Sequence, residues 1–189
     1  MLTLRGHEPF ARGTRRYCYV HPADPALCIK VPARPGEPHC RREQIADLED
    51  YAVLEKRGGA VFDHIAAVEG VVDTDLGPGV VCALCRDADG SISSTLADVV
   101  REQGLTPSIV RAIGELKEWL RAHRILTRDT GPSNMVAVHL DCDKWKLVII
   151  EGLSNRKYRL LTRLRPRSTD WLIARQLRKF DRRLSSAIG

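Results

Sequence analysis

RILTRDTGPSNMVAV, residues Arg124 to Val138, sets Asp129 and Asn134 five positions apart, behind an amphipathic helix and ahead of a run of β-formers. A carboxylate that leaves a helix on a tight turn is placed to accept a proton. A carboxamide five residues later can return toward the same point and offer its carbonyl oxygen to a divalent cation. The plainer alternative is a helix-to-strand loop in which Asp and Asn serve turn chemistry around Thr-Gly-Pro-Ser. The rest of the chain decides between them by what it brings to the same place.

Immediately upstream, TPSIVRAIGELKEWLRAHR reads as a helix with Thr106 as N-cap, Pro107 in the first turn, and Ile109, Ile113, Leu116 and Leu120 on one stripe. STLADVVREQG before it is a shorter helix capped by Ser94 or Thr95. Downstream, NMVAVHLDCDKWKLVIIEG reads as a hairpin, and a last helix is expected from about Ser168 to Leu184. The other half is strand-rich. LTLRG, RYCYVHP and ALCIKV read as three short strands. HCRREQIADLEDYAVLEKRGG is a helix that stops at Gly58-Gly59, and IAAVEGVVDT and GVVCALC are two more strands. The expected class is therefore α+β in one domain over residues 1–189. A strand-rich lobe covers about 1–88, a boundary falls near Arg86 to Ser93, and a mainly helical lobe covers about 94–189.

The totals exclude some classes. With 43% hydrophobic and 29% charged residues the chain has globular rather than disordered composition. No apolar run approaches the roughly 20 residues that cross a bilayer, and MLTLRGHEPF lacks the basic start and apolar centre of a signal peptide, so a cytoplasmic protein is expected. Cys82 and Cys85 have the spacing of a metal or redox pair, but they sit in an apparent buried strand, where positions three apart point to opposite faces; reduced core thiols are the favoured reading. The net charge of +6 is concentrated between Arg156 and Arg183, where eleven Lys/Arg face two Asp. That segment has three readings: a solvated face of a helix docked by Ile173, Leu177, Phe180 and Leu184, a surface for an acidic substrate or protein partner, or a nucleic-acid contact without a recognised motif.

Two further residues matter. Lys30 in LCIKV is a single Lys inside an apolar strand, and an ammonium there needs a partner or an exit to water; Glu43 and Asp47, four apart on the next helix, are the candidate acids. Glu151 ends a buried strand before Gly152, as an oxygen ligand for a hard cation such as Mg²⁺ would.

In order, the parts run strand, turn, strand with Lys, helix with an acid, two strands, helices, D-x4-N, hairpin, and an acid before Gly. This resembles the layout of a protein kinase. GTRRYCYVHP, CIKV, YAVLEKR, VVDTDLGPGVV, DADGSISSTL and SNMV further resemble the PhoP regulatory network YrbL family, bacterial chains with a compact kinase-like fold, over about residues 9–155. The resemblance implies a two-lobed fold that binds ATP and Mg²⁺. Lys30 would hold the α/β-phosphates with Glu43 or Asp47 as its helix partner, Gly13 and Arg16 would lie in the phosphate loop, Asp129 would accept the acceptor proton, and Asn134 and Glu151 would hold the metal.

The sequence also departs from that pattern. EPFARGTRR keeps Gly13 but no G-x-G-x-x-G, with Arg12, Arg15 and Arg16 as possible substitutes for the missing backbone donors. Gly131 stands where protein kinases usually have a Lys, Glu151 replaces an Asp, and no activation segment follows Gly152. The reading is a phosphotransferase to a hydroxyl acceptor. The rival is a pseudokinase-like module that regulates a signalling partner.

Overall fold

Strands form where β-branched and aromatic residues cluster between turn residues. The computed structural model describes residues 1–34, 45, 48–49, 51–56, 58, 62–153 and 168–188. In it β1 (Ala11–Arg12), β2 (Arg16–His21), β3 (Asp24–Pro32), β4 (Val68–Thr74) and β5 (Gly77–Ala83) make one antiparallel sheet in the order β1-β2-β3-β5-β4. Tight links set the register: His21 faces Asp24 across Pro22-Ala23, and Thr74 faces Gly77 across Asp75-Leu76. Side chains then alternate between the two faces. Tyr19, Ile29, Val31 and Val81 pack with Leu4 on one of them, each burial contributing about 1.5–3 kcal/mol. Lys30, paired with Cys18 and Val80, shares the other face with the Cys28–Cys82 pair.

Among the described residues follow α1 (Leu96–Gln103), α2 (Pro107–Ala122), β6 (Met135–Asp141), β7 (Lys144–Ile149) and α3 (Ser168–Ile188). Thr95 and Thr106 cap α1 and α2 by accepting from the N–H groups of Asp98 and Ile109. β6 and β7 form a separate two-stranded hairpin. One core gathers Leu96 and Val100 of α1, Ile109, Ile113, Leu116 and Leu120 of α2, Met135 and Ile149 of the hairpin, and Ile173, Leu177, Phe180 and Leu184 of α3. The hairpin is joined to the chain preceding β4 by a parallel bridge between Ile65 and Ile149, with Ala66 N–H donating to Ile149 O at 3.0 Å. In the boundary segment Arg86 bridges Ile92, and the Asp87 carboxylate accepts from Ser93 Oγ (2.6 Å) and His139 N (2.9 Å).

The α+β class follows from the sequence, and several boundaries do not. LTLRG is not a strand. Leu2 makes one isolated bridge to Thr74, and the N–H groups of Leu4 and Arg5 donate to the Asp75 carboxylate at 2.7 and 3.1 Å, so a side chain takes the donors that a ladder would use. The sheet uses Ala11–Arg12 at its edge instead. IAAVEGVVDT contributes only from Val68, because Ile65 pairs with the hairpin. GVVCALC is shifted two residues earlier, because the Thr74–Gly77 turn starts the pairing at Gly77. The last helix runs to Ile188, four residues past the expected end. The helix after β3 is helical at 45, 48–49 and 51–55; Glu43 and Asp47, the expected partners of Lys30, lie outside the described residues.

Candidate functional site

α2 ends when Arg124 turns into the left-handed region at φ 52°, and the chain enters the loop that holds Asp129. Thr127 N–H in that loop donates to the side-chain oxygen of buried Gln176 on α3 at 2.8 Å. Asp129 then folds its carboxylate back on the turn, with Oδ1 accepting from Gly131 N–H at 3.1 Å. Pro132–Asn134 forms a single 3₁₀ turn that returns Asn134 to the same point, where its Nδ2 donates to the peptide oxygen of Asp129 at 3.3 Å. With its nitrogen engaged there, the oxygen of the Asn134 carboxamide is the atom left for a cation.

The segment after β7 closes against this loop through its backbone. Ile150 N–H and Glu151 N–H donate to Asn134 O at 3.0 and 3.3 Å, and Arg128 N–H donates to Gly152 O at 2.8 Å. Gly152 is required twice over: φ is 83°, and a Cβ would fall 2.6 Å from the Asp129 peptide oxygen. These backbone bonds tie the Asp129–Asn134 loop to the Glu151-Gly152 segment.

Lys30 approaches from the sheet. It is 6% exposed, and its Nζ donates to Ile150 O at 2.7 Å. Burial alone works against the ammonium, and the negative field of Cys82 and Glu151 outweighs it, so its pKa lies above the ordinary value. Burial raises the Cys18 thiol beside it. The hydrogen bond between Cys28 and Cys82 holds Cys82 low, at about 6, and raises Cys28. Arg16 Nη1 stands 3.8 Å from Glu151 Oε1. Gly13 lies in the β1–β2 turn, its N–H donating to Arg16 O at 2.9 Å, and its link to the site runs through Arg16.

Arg16, Lys30, Val80, Cys82, Ile150 and Glu151 are among the residues around a cavity of about 40 Å³. That volume takes one or two water-sized groups, well below the roughly 300–1,000 Å³ of small-molecule pockets. Two carboxylates and a carboxamide suit a hard cation that keeps water and phosphate oxygens as its other ligands. Among the described residues no group of three or more His, Cys, Asp or Glu side chains gathers to hold a metal, and Cys82 is buried while Cys85 is only partly covered.

One site residue escaped the sequence. Arg183 of α3 donates from Nη1 to Asp129 Oδ1, in an ion pair whose side chains are 39% and 38% exposed. Burial pushes Asp129 up, and the Arg183 hydrogen bond and charge, the Gly131 amide and the charge of Lys179 together push it below the ordinary carboxylate value. The one available signal was helical spacing: Arg183 lies seven residues after Gln176 and three after Phe180, on the edge of the buried stripe.

A family model described as PhoP regulatory network protein YrbL matches residues 2–185. The proteins named YrbL of Escherichia coli (strain K12) and of Shigella flexneri are each 32% identical to this chain over 142 residues, covering 72% of this chain and 65% of the relative. The match therefore spans just under two thirds of the length of those relatives.

Proposed function

The chain belongs to the PhoP regulatory network protein YrbL family, and from that premise we propose that it is a two-lobed, kinase-like protein that binds ATP with Mg²⁺ and transfers the terminal phosphoryl group to a hydroxyl acceptor. The observation that carries this reading is the closure of three separate segments on one point: Asp129 and Asn134 tied to each other, both tied to Glu151-Gly152, and the Lys30 ammonium on the adjoining carbonyl of Ile150. A five-stranded antiparallel sheet with the buried Lys on its third strand, opposite a helical half that holds the acid loop, supports the two-lobed arrangement.

In this reading Lys30 binds the α/β-phosphates and Arg16 adds charge on the same side. Asn134 and Glu151 hold Mg²⁺, which when bound neutralises phosphate charge. Asp129 orients the acceptor hydroxyl through Oδ2, since the turn amide and Arg183 both donate to Oδ1. An ionised carboxylate with a depressed pKa is a weak base, so its contribution is chiefly to align the hydroxyl and take the proton late. Most of the rate enhancement then comes from positioning and charge.

Calorimetry of ATP binding with and without Mg²⁺ tests the reading, in the wild type and in Asn134→Ala/Glu151→Ala. Affinity that rises with Mg²⁺ in the wild type and no longer does so in the double variant is the expected result. Affinity indifferent to both changes overturns the metal assignment.

A second reading has its own observation. The cavity is small and the candidate base is occupied by Arg183, as suits a module that binds nucleotide weakly, or not at all, and regulates a protein partner in a PhoP-type circuit. The basic residues Arg175, Arg178, Lys179 and Arg182 remain exposed on α3 as a surface for an acidic partner, with nucleic acid the less favoured alternative because no base-reading motif accompanies them.

A further inference from the structure

We propose that Arg183 is the phosphate-binding cation of this site, delivered by α3 to receive the terminal phosphate of the nucleotide. The inference rests on the nucleotide-binding reading above and deepens it.

The loop that carries Asp129 and Asn134 has no cation of its own between them, its sequence being Asp-Thr-Gly-Pro-Ser-Asn. Gly131 in its middle has φ −63° and ψ 147°, a conformation open to any residue, so backbone freedom does not explain the glycine. Space does. A Cβ at 131 would lie 3.2 Å from Arg183 Nη1, 3.4 Å from Asp129 Oδ1 and 3.9 Å from Asn134 Nδ2. A Cβ at 131 would therefore crowd the guanidinium beside Asp129, whose tip would have to shift by a few tenths of an ångström to make room.

Charge argues the same way. The site already holds the carboxylates of Asp129 and Glu151, and a triphosphate adds more negative charge beside them. Lys30 and Arg16 stand on the sheet side, where Arg16 faces Glu151. Among the described residues Arg183 is the cation hydrogen-bonded to Asp129, with Lys179 one turn earlier adding to the field. Anchoring α3 is a poor alternative role. Ile173, Leu177, Phe180 and Leu184 already bury the helix in the core, and an ion pair more than a third exposed adds little to that. A guanidinium carries five N–H donors in a planar fork, so a bond to Asp129 leaves donors for a phosphate.

The test compares ATP with ADP, which differ by the terminal phosphate, by calorimetry at fixed Mg²⁺. The proteins are the wild type, Arg183→Ala, Gly131→Ser and Arg183→Ala/Gly131→Lys, with melting curves to check folding. We expect Arg183→Ala to lose about tenfold or more in ATP affinity while ADP affinity stays within about twofold. Gly131→Ser, which keeps Arg183 but fills its space, should show the same selective loss, and it serves as the test if Arg183→Ala does not fold. Lys at 131 in the double variant should recover most of the ATP preference. Equal loss for both nucleotides, or no loss, overturns the inference while leaving the nucleotide reading intact. A wild type that binds neither nucleotide overturns that reading and this inference together.

Discussion

The peptide oxygen of Asp129 lies where Gly152 has no room for a side chain: an ideal Cβ on Gly152 would stand 2.6 Å from it, with φ at 83°. Gly152→Ala combines a left-handed strain with a backbone collision, and should cost about 2–4 kcal/mol of stability. Thermal melting should show a midpoint lower by roughly 5–15 °C. Because the same contact holds Glu151 against the Asp129 loop, Mg²⁺-dependent nucleotide affinity should fall with it. A variant that melts like the wild type would show that the loop and the Glu151-Gly152 segment are not in fact closed together.

Lys30→Met should separate stability from binding. The buried ammonium bears a desolvation cost that an apolar side chain of similar length removes, while Ile150 O loses its donor. These effects oppose each other, so urea denaturation should give a change within about 1 kcal/mol. ATP affinity should drop at least about tenfold. Unchanged affinity would remove Lys30 from the site.

Asp129→Asn keeps the shape and the acceptor for Gly131 N–H, and should preserve nucleotide affinity while lowering turnover by roughly two orders of magnitude or more. Labelled-phosphate transfer measures this. If the protein is instead a regulator, the same variant leaves its cellular effect unchanged.

The pH dependence follows from the sign of the Asp129 shift. Its folded pKa lies below the ordinary value of 3.8, chiefly through Arg183 acting against burial. The stabilisation is therefore complete above about pH 5, and is lost as pH falls through the ordinary value and then the lower folded one. The stability difference between wild type and Asp129→Asn, followed by urea titrations from pH 6 to pH 2, should narrow toward the acid end. A difference that stays constant down to pH 2 would mean the carboxylate is not paired.

Phe180→Ala should cost about 3–5 kcal/mol, since Phe180 is 2% exposed inside the main core. Urea denaturation should still show one cooperative transition. A cost near zero would make α3 a loosely laid arm rather than a wall of the core.

Much of this arrangement could be read from residue order. The single Lys in the apolar run LCIKV marked a charge that needed a partner or an exit to water, and the hairpin between Asn134 and Glu151 had to bring its ends together, as the backbone bonds of Ile150 and Glu151 to Asn134 show. Local pattern was less useful where a distant group intervened. LTLRG alternates like a strand, yet the Asp75 carboxylate takes its N–H groups. The Cys28–Cys82 contact arises from strand pairing between β3 and β5, which the C-x-x-C spacing of Cys82 and Cys85 does not encode. Arg183 was hidden for the same reason: an arginine on a basic helix looks like all its neighbours until the fold decides which one meets a carboxylate.

Arg183 and Asp129 are separated by 54 positions along the chain. At roughly 5–20 residues per second, a ribosome that has just added Asp129 works for several more seconds before it adds the guanidinium. During that interval the nascent polypeptide carries the acid loop without the charge that sits on it. A message truncated in this window, or a translation stall within it, would release a product with its carboxylate uncovered and the core wall missing.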